Sequence, residues 1–333
     1  MKALVLKEIK SPVVFEETAS PSPGEGEVLV QLKAAALNRR DYWITQGMYP
    51  GIECPVILGS DGVGVVASVG GGVDQSWVGK EVIINPGYCW GESQGAQGPD
   101  FKILGLPDDG TFAEEIVVPV EQLHEKPAYL DKEQAAALPL AALTAYRAVF
   151  VRGRFAKGQK VLITGAGGGV ATFAVQFAVA AGATAFVTSS SAEKIEKAMS
   201  LGASGGFDYT DEGWVSQFQS GHGLVDLIVD GAGGAGYAGM IDILAPGGRL
   251  VHYGATTGNP GRINLRKVYW KQLNLLGSTM GSPEDFKAML KFVSEHEIKP
   301  VVDRVYHLSQ GNEAIEQMGA SSQFGKIVLS ICE

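Results

Sequence analysis

Cysteine and long apolar runs are scarce in this sequence. The 333 residues include only three cysteines, Cys54, Cys89 and Cys332, which are far apart and odd in number. We therefore expect no disulfide framework, and a reducing cytoplasm is the favoured location. No apolar run reaches the length of about 18 residues that predicts a membrane span. The four apolar residues after Lys2 are too few for a signal peptide, so none is expected.

Cationic clusters are also missing. Lys and Arg number 27 against 36 Asp and Glu, which gives a net charge of −9, and no run of Lys or Arg occurs. Proteins that bind nucleic acid or anionic membranes usually present a basic face. We therefore expect neither as a partner, and a small molecule is the favoured substrate.

Glycine, by contrast, is abundant, with 45 residues of 333. Residues 1–123 contain short β-branched runs bounded by Gly, Pro and Ser, which predict a β-rich domain. Over residues 124–299, apolar strands alternate with helices, which predicts βαβ units in a doubly wound α/β domain with a parallel sheet. The tail, residues 300–333, returns to strand and helix and is expected to rejoin the first domain.

Two glycine-rich turns compete for a dinucleotide site. Only Gly231–Gly236 matches G-x-G-x-x-G letter by letter, but such a match alone is weak. The turn Gly165–Ala171 lies between a predicted strand and a twelve-residue apolar helix, with another strand following, which is the complete βαβ context of a pyrophosphate site. We therefore predict that the first turn holds the pyrophosphate and the second lines the nicotinamide half. The alternative is that either is only a tight turn.

The end of the second predicted strand indicates which cofactor binds. An NAD site usually has a carboxylate there to hold the ribose hydroxyls, but this strand ends in Thr188–Ser191, with Lys194 in the next turn. Hydroxyls and an ammonium at a helix N-terminus suit a 2′-phosphate, so NADP(H) is favoured. The alternative, which is compatible with the first, is that the serines only cap the helix and Lys194 is solvated.

Several motifs together carry a family resemblance over nearly the whole chain. The sequence resembles the medium-chain dehydrogenase/reductase superfamily and, within it, the zinc-free quinone oxidoreductases. The resemblance implies a GroES-like β-rich domain over residues 1–123, joined by the return at 300–333, and a Rossmann NADP(H)-binding domain over 124–299. The motifs are Ala36–Tyr42, Leu58–Val66, Leu143–Tyr146, Gly165–Ala171, Thr188–Ser191 with Lys194, and Phe324–Val328.

The sequence departs from zinc alcohol dehydrogenases of this superfamily at the positions that bind metal. The resemblance places a zinc-ligating Cys in the segment aligned with 38–42 and a His at Ser60, and neither is present. Of the cysteines, only Cys89 falls in the region of the structural zinc lobe, and one thiolate cannot form a tetrahedral site. The sequence therefore predicts no metal.

The resemblance also assigns candidate site residues. Asn38 and Tyr42 are the catalytic candidates, with Tyr42 as a hydrogen-bond or proton donor; the alternative is that Tyr42 packs as a core aromatic. Asp41 and Asp61 are expected to hold local turns or a nearby Arg. The cofactor candidates are Arg39, Thr144, Tyr146, Gly165, Gly168, Gly169, Val170, Ser189, Ser190, Lys194, Tyr209, Tyr253, Gly254, Ala255, Met280 and Lys326.

Without a Lewis acid, hydride transfer is easiest to an acceptor that is already electrophilic. The sequence thus predicts an NADPH-dependent oxidoreductase acting on a quinone or an α,β-unsaturated carbonyl. Two alternatives stay open: an alcohol dehydrogenase of the same superfamily, and a low-turnover NADPH-binding structural or sensor protein. The resemblance and the apolar run Leu273–Leu276, a candidate edge strand, predict a homodimer.

Overall fold

A computed structural model describes residues 1–331, which form eighteen β-strands and ten α-helices. The strands are β1 (Lys2–Leu6), β2 (Val14–Glu17), β3 (Glu27–Ala36), β4 (Val56–Ile57), β5 (Asp61–Val69), β6 (Glu81–Ile84), β7 (Gly87–Tyr88), β8 (Lys102–Ile103), β9 (Glu115–Pro119), β10 (Leu123–Glu125), β11 (Lys160–Ile163), β12 (Thr184–Ser189), β13 (Gly205–Asp208), β14 (Val225–Asp230), β15 (Leu244–His252), β16 (Asn274–Gly277), β17 (Val302–His307) and β18 (Lys326–Ser330). The helices are α1 (Arg39–Thr45), α2 (Lys132–Ala137), α3 (Pro139–Tyr146), α4 (Gly169–Ala180), α5 (Ala192–Ser200), α6 (Trp214–His222), α7 (Tyr237–Ile243), α8 (Leu265–Trp270), α9 (Pro283–Glu295) and α10 (Gly311–Ala320).

The chain divides into two compact units. The first contains residues 1–141 and the segment from Ser282 onward, and the second contains Ala142–Gly281. The boundaries therefore lie inside α3 and just before α9, not at 123/124 and 299/300 as the sequence predicted. The alternation of strands and helices misplaced them because α2 and α9, although helical, pack within the first unit.

Two contacts show why these segments belong to the first unit. Helix α2 buries Ala135, Ala136 and Ala137 and contacts strands β3 and β5. Near α9, the hydroxyl of Tyr129 donates to the carbonyl oxygens of Val293 and Ile298, at 2.9 and 3.0 Å.

The first unit is built on a mainly antiparallel sheet with the order β10-β6-β5-β3-β18-β17, and β9 also pairs with β3. Strand β18 comes from the C-terminal segment and pairs antiparallel with β3, with Val328 opposite Ala36. As a result, the end of β3 and the starts of β5 and β18 lie side by side.

The second unit has a six-stranded parallel sheet with the order β13-β12-β11-β14-β15-β16. This is the Rossmann strand order, in which the direction of winding reverses between the first and fourth strands, here β11 and β14. The central strand β11 is apolar, and its residues Val161, Leu162 and Ile163 are fully buried, as expected for a parallel strand covered on both faces. The predicted α/β class, with a GroES-like and a Rossmann domain, is confirmed.

Two further sequence expectations concern thiols and membranes. Cys54 and Cys89 are free, exposed thiols, and Cys332 lies outside the described residues. Within residues 1–331, no helix is both long enough and apolar enough to cross a membrane.

Candidate active site

The first glycine-rich turn joins β11 to α4 at the switch point of the sheet. Gly165 has φ +70° and Gly167 has φ +116°, backbone conformations that side chains disfavour. Gly168 is the N-cap of α4 and has no side chain to cover the free N–H groups of the first helical turn. Gly169 and Val170 contribute two of these groups at the positive end of the helix dipole. The predicted residues of this turn thus form a site that fits a pyrophosphate.

The second turn has the better motif but its N–H groups are already used. The N–H groups of Ala232 and Gly233 donate to the carboxylate of Asp230, at 3.0 and 3.1 Å, and that of Gly231 donates to Thr164 Oγ1 at 3.2 Å. A buried carboxylate therefore occupies the position where an anion would bind. The local chemistry agrees with the prediction that this turn does not hold the pyrophosphate.

The serines at the end of β12 have two kinds of surroundings: Ser189 and Ser191 accept hydrogen bonds from backbone N–H groups, and Ser190 faces solvent. Ser189 Oγ accepts from the Ser191 N–H, and Ser191 Oγ accepts from the Lys194 N–H, at 3.2 and 3.3 Å. Ser190 is exposed, and its Oγ accepts from the hydroxyl of Tyr209 at 3.3 Å. The structure thus brings Ser190, Lys194 and Tyr209 to one corner of the second unit, and Ser191 is the helix cap.

A carboxylate that the sequence reasoning missed lies beside this corner. Asp208 ends β13, directly opposite Ser189 in the register of the two strands. Its Oδ1 accepts from the hydroxyl and the N–H of Thr210, at 2.7 and 2.8 Å, and these hydrogen bonds hold the pKa of Asp208 below its ordinary value. Because it lies on the neighbouring strand, only the strand order could reveal it.

A buried polar cluster lies in the first unit, where β3 ends and β5 and β18 begin. Lys326 Nζ donates to Asn38 Oδ1 at 2.7 Å and to Asp61 Oδ2 at 2.8 Å. Asn38 Nδ2 donates to the same Asp61 oxygen at 2.9 Å, and Asp61 Oδ1 accepts from the Leu140 N–H at 2.8 Å. Asp61 therefore pairs with a lysine, where the sequence suggested a local turn or an arginine. The cluster joins Asn38 and Lys326, both of which were predicted for the site.

Helix α1 begins in this cluster. Asp41 Oδ2 accepts from the Asn38 N–H at 2.7 Å in a capping box, so Asp41 holds the local turn that the sequence predicted for it. Its other oxygen is buried without a partner among the described residues. Burial raises the pKa of Asp41 to about 6, although neighbouring Arg40 acts to lower it.

Arg40 and Ser60 form a second buried contact. Arg40 Nη1 donates to Ser60 Oγ at 2.7 Å and to the carbonyl oxygen of Leu104 at 2.6 Å, and Ser60 Oγ donates to the same carbonyl at 2.8 Å. The Arg40 guanidinium also lies 5.3 Å from the ring centre of Tyr49. A fixed cation and a hydroxyl therefore occupy the two places, residues 38–42 and position 60, at which zinc alcohol dehydrogenases have metal ligands according to the resemblance.

The other two candidates among residues 38–42, Arg39 and Tyr42, contact the C-terminal part of helix α10. Arg39 donates to the carbonyl of Met318 and to Ser321 Oγ at the C-terminal end of α10, where a cation complements the helix dipole. The ring of Tyr42 lies over Gly319, where a Cβ atom would come within 2.5 Å of it, and this favours the alternative of Tyr42 as a packed aromatic. The site roles of Arg39 and Tyr42 stay predictions.

The remaining candidates lie in the second unit. Thr144 is buried, and the ring of Tyr146 lies 5.0 Å from that of Phe150. Met280 is buried with φ +45°. The three residues after β15 are Tyr253, whose ring lies over Gly231, and the exposed pair Gly254 and Ala255.

Comparisons with known proteins agree with this architecture. Residues 24–128 match the family model of the alcohol dehydrogenase GroES-like domain, and residues 169–295 match that of zinc-binding dehydrogenases. A zinc-type alcohol dehydrogenase-like protein, YogA, of Leptosphaeria maculans is 36% identical over 96% of this chain and 95% of its own. An acryloyl-coenzyme A reductase of Sulfurisphaera tokodaii is 32% identical over 99% of each chain.

The chain is a medium-chain dehydrogenase/reductase. A crystal structure of an NAD-dependent alcohol dehydrogenase superimposes with a TM-score of 0.94 at 37% identity, covering 100% of both chains. The crotonyl-CoA carboxylase/reductase AntE, solved in complex with NADP, has a TM-score of 0.89 at 25% identity, covering 99% of this chain and 95% of its own. Members of this superfamily with a Rossmann domain are oxidoreductases that bind a nicotinamide cofactor, and the turn Gly165–Val170 fits its pyrophosphate.

Zinc fits this dehydrogenase/reductase poorly, although names among its relatives mention it. A zinc site needs three or four Cys, His or carboxylate ligands converging on one point. Residues 1–331 contain no group of three such side chains arranged to hold a metal ion. The pair Arg40–Ser60 offers a positive charge and a hydroxyl, neither of which is a usual zinc ligand.

Proposed function

We propose that this medium-chain dehydrogenase/reductase transfers hydride from NADPH to a conjugated acceptor, a quinone or an α,β-unsaturated carbonyl, without zinc. The observation that carries the proposal is the buried Arg40–Ser60 hydrogen bond. A guanidinium held 2.7 Å from the Ser60 oxygen would repel a metal cation placed beside it. Direct coordination of an alcohol by zinc, which lowers the alcohol's pKa, then has no counterpart among residues 1–331.

A conjugated acceptor suits a site without a Lewis acid. The bound cofactor supplies the hydride, which adds to carbon or to a quinone, and the charge moves to an oxygen that hydrogen bonds can stabilise. The chain's own residues bind and orient the cofactor, and water can supply the proton. Among the catalytic candidates, Asn38 has both amide atoms bound to Asp61 and Lys326, so in this structure it acts as a positioning residue.

The relatives support this acceptor class. The names of two matched proteins contain acryloyl-coenzyme A and crotonyl-CoA. Both compounds are α,β-unsaturated thioesters, in which the double bond is conjugated with the carbonyl. Other matched proteins are named as alcohol dehydrogenases, which keeps alcohol oxidation as the alternative outcome of the test.

NADPH is proposed over NADH because of the corner formed by Ser190, Lys194 and Tyr209. These side chains offer hydroxyl and ammonium groups at the N-terminal end of α5, where an anion is stabilised. The structure of AntE in complex with NADP supports this choice, whereas other neighbours are NAD-dependent by name.

Steady-state assays test the proposal. NADPH should be oxidised with a benzoquinone or an enone, and NADP⁺ should not be reduced at a comparable rate with ethanol or benzyl alcohol. Activity should survive EDTA, and elemental analysis should find no stoichiometric zinc. Faster turnover with the alcohols than with every conjugated acceptor, or zinc that is lost together with activity, would contradict the proposal.

We also propose a cytoplasmic homodimer, with a small electrophilic molecule as substrate. Strand β16 is at one edge of the parallel sheet, and α8 nearby exposes Leu265, Tyr269 and Trp270, the last to 82%. A second copy of the chain, pairing edge to edge, would cover both the free strand edge and these apolar side chains. The exposed free thiols of Cys54 and Cys89 suit a reducing compartment.

A further inference from the structure

A buried hydrogen bond spans the switch point of the parallel sheet. Strands β11 and β14 are neighbours, with Ile163 opposite Val229, so the next residues, Thr164 and Asp230, also lie side by side. Thr164 Oγ1 donates to Asp230 Oδ1 at 2.6 Å, and both residues are buried. Each of them immediately precedes one of the two glycine-rich turns, so this bond joins the bases of both turns.

The Asp230 carboxylate also fixes the shape of the second turn from below. Its two oxygens accept the N–H groups of Ala232 and Gly233. From the other side, the hydroxyls of Thr256 and Thr257 donate to the carbonyl oxygens of Gly231 and Ala232, at 3.1 and 2.9 Å. The backbone of the turn is thus held at both its N–H and its carbonyl groups.

The charge of Asp230 is buried beneath the turn. Burial alone would raise its pKa, but the nearby imidazole of His252 and hydrogen bonds from Thr164 and two backbone N–H groups reverse this and hold the pKa below its ordinary value. His252 Nδ1 lies 4.0 Å from Asp230 Oδ2, and its Nε2 lies 3.2 Å from the hydroxyl of Tyr237. An ionised carboxylate at this position repels phosphate, so the pyrophosphate is not expected to lie against this turn.

The order of the strands indicates which half of the dinucleotide lies above the turn Gly231–Gly236. The corner formed by Ser190, Lys194 and Tyr209, proposed for the 2′-phosphate, lies at the ends of β12 and β13. The turn Gly165–Val170, proposed for the pyrophosphate, follows β11, and the next strands across the sheet are β14 and β15. A dinucleotide that lies along this edge, as the switch-point rule requires, therefore extends its nicotinamide half over the turn Gly231–Gly236.

We infer that Asp230 is a positioning residue which, tied by Thr164 to the pyrophosphate turn, holds the turn Gly231–Gly236 in the shape that receives the nicotinamide half of the cofactor. This inference rests on the cofactor part of the proposed function. It does not depend on the acceptor, and it applies equally to NADPH and NADH, which share the nicotinamide half.

Calorimetric titration of Asp230→Asn with two ligands tests the inference. An asparagine amide group cannot accept the second N–H bond, so the turn loses its fixed shape. We expect affinity for NADPH to fall about tenfold or more, equivalent to about 1.4 kcal/mol. Affinity for 2′-phospho-ADP-ribose, which lacks the nicotinamide, should stay within about threefold of wild type, or about 0.6 kcal/mol. Thr164→Val should show the same selective loss and serves as the test if Asp230→Asn does not fold.

Asp226→Asn is the matched control. Asp226 lies at the opposite end of the same strand β14 and accepts the Lys160 N–H at 2.8 Å, so its loss removes a similar bond away from both turns. This control should lower thermal stability without changing the ratio of the two affinities. Unchanged NADPH affinity in Asp230→Asn, or an equal loss for both ligands, would overturn the inference. If wild type prefers NADH, the cofactor proposal fails, and the same comparison with NADH and ADP-ribose still tests Asp230.

Discussion

At the level of single residues, the end of β12 separates two kinds of serine. Ser191 and Ser189 satisfy backbone N–H groups, whereas Ser190 faces solvent beside Tyr209. The two sequence interpretations, a helix cap and a phosphate site, therefore apply to different residues of one run. This division makes Lys194 the side chain on which cofactor preference should depend most.

We predict that wild type binds NADPH at least about tenfold more tightly than NADH and that Lys194→Ala removes most of this preference. A tenfold ratio is about 1.4 kcal/mol, within the range of one charge-assisted contact to phosphate. Equilibrium titration with both cofactors measures it. Lys197→Ala is the control, because Lys197 pairs with Glu193 on the exposed side of the same helix, at 2.6 Å. Equal affinities in wild type, or equal effects of the two variants, would refute the prediction.

At the level of elements, the two glycine-rich turns differ in whether their N–H groups are already bound by side chains of this chain. In the first turn, the N-cap residue Gly168 has no side chain that could accept from the N–H groups at the start of α4. In the second, Asp230 and Thr164 take the N–H groups of the first three residues. An added carboxylate should therefore affect phosphate binding at the first turn only.

We predict that Gly169→Asp weakens binding of 2′-phospho-ADP-ribose about tenfold or more, since the new charge repels the pyrophosphate. It should not lower the melting temperature, because a carboxylate at a helix N-terminus is stabilising. Ala235→Asp, at an exposed position of the second turn, is the matched control and should leave this binding within about twofold, or 0.4 kcal/mol. A stronger effect of Ala235→Asp would place the pyrophosphate at the second turn.

At the level of the whole molecule, the exposed side chains of α8 are the feature that a single copy of the chain leaves unexplained. Leu265 and Tyr269 are more than two-thirds exposed, and Trp270 still more so. Together with the edge of β16, they form an apolar surface that a second copy could cover.

We predict a light-scattering mass of twice 35.1 kDa at micromolar concentration, and dissociation to monomers in Trp270→Glu. A buried charge in an apolar interface is costly, whereas the same change is neutral on a monomer surface. Met199→Glu, also an exposed apolar residue of the second unit, should leave the mass unchanged. A monomeric wild type would refute the dimer.

Much of this architecture could be predicted from local sequence. The alternation of apolar strands with helices after residue 159 predicted the parallel sheet, since that pattern is set by burial on both faces. The context of Gly165–Ala171 pointed to a turn whose N-cap glycine leaves room for a pyrophosphate, because this geometry depends on consecutive residues. The motifs in Ala36–Tyr42 and Phe324–Val328 pointed to residues that the structure joins in one cluster, Asn38 and Lys326.

Tertiary structure alone decided which distant side chains became partners. The pairing of Lys326 with Asp61 depends on a C-terminal strand joining the sheet of the first unit, a contact across 265 positions of sequence. The unit boundaries differ from the predicted ones because α2 and α9 bury their apolar residues within the first unit. A helical sequence pattern does not reveal which unit a helix packs in. The Thr164–Asp230 bond depends on β14 lying beside β11, because strand order is fixed by packing across the sheet, whereas the local sequence fixes only that each segment is a strand.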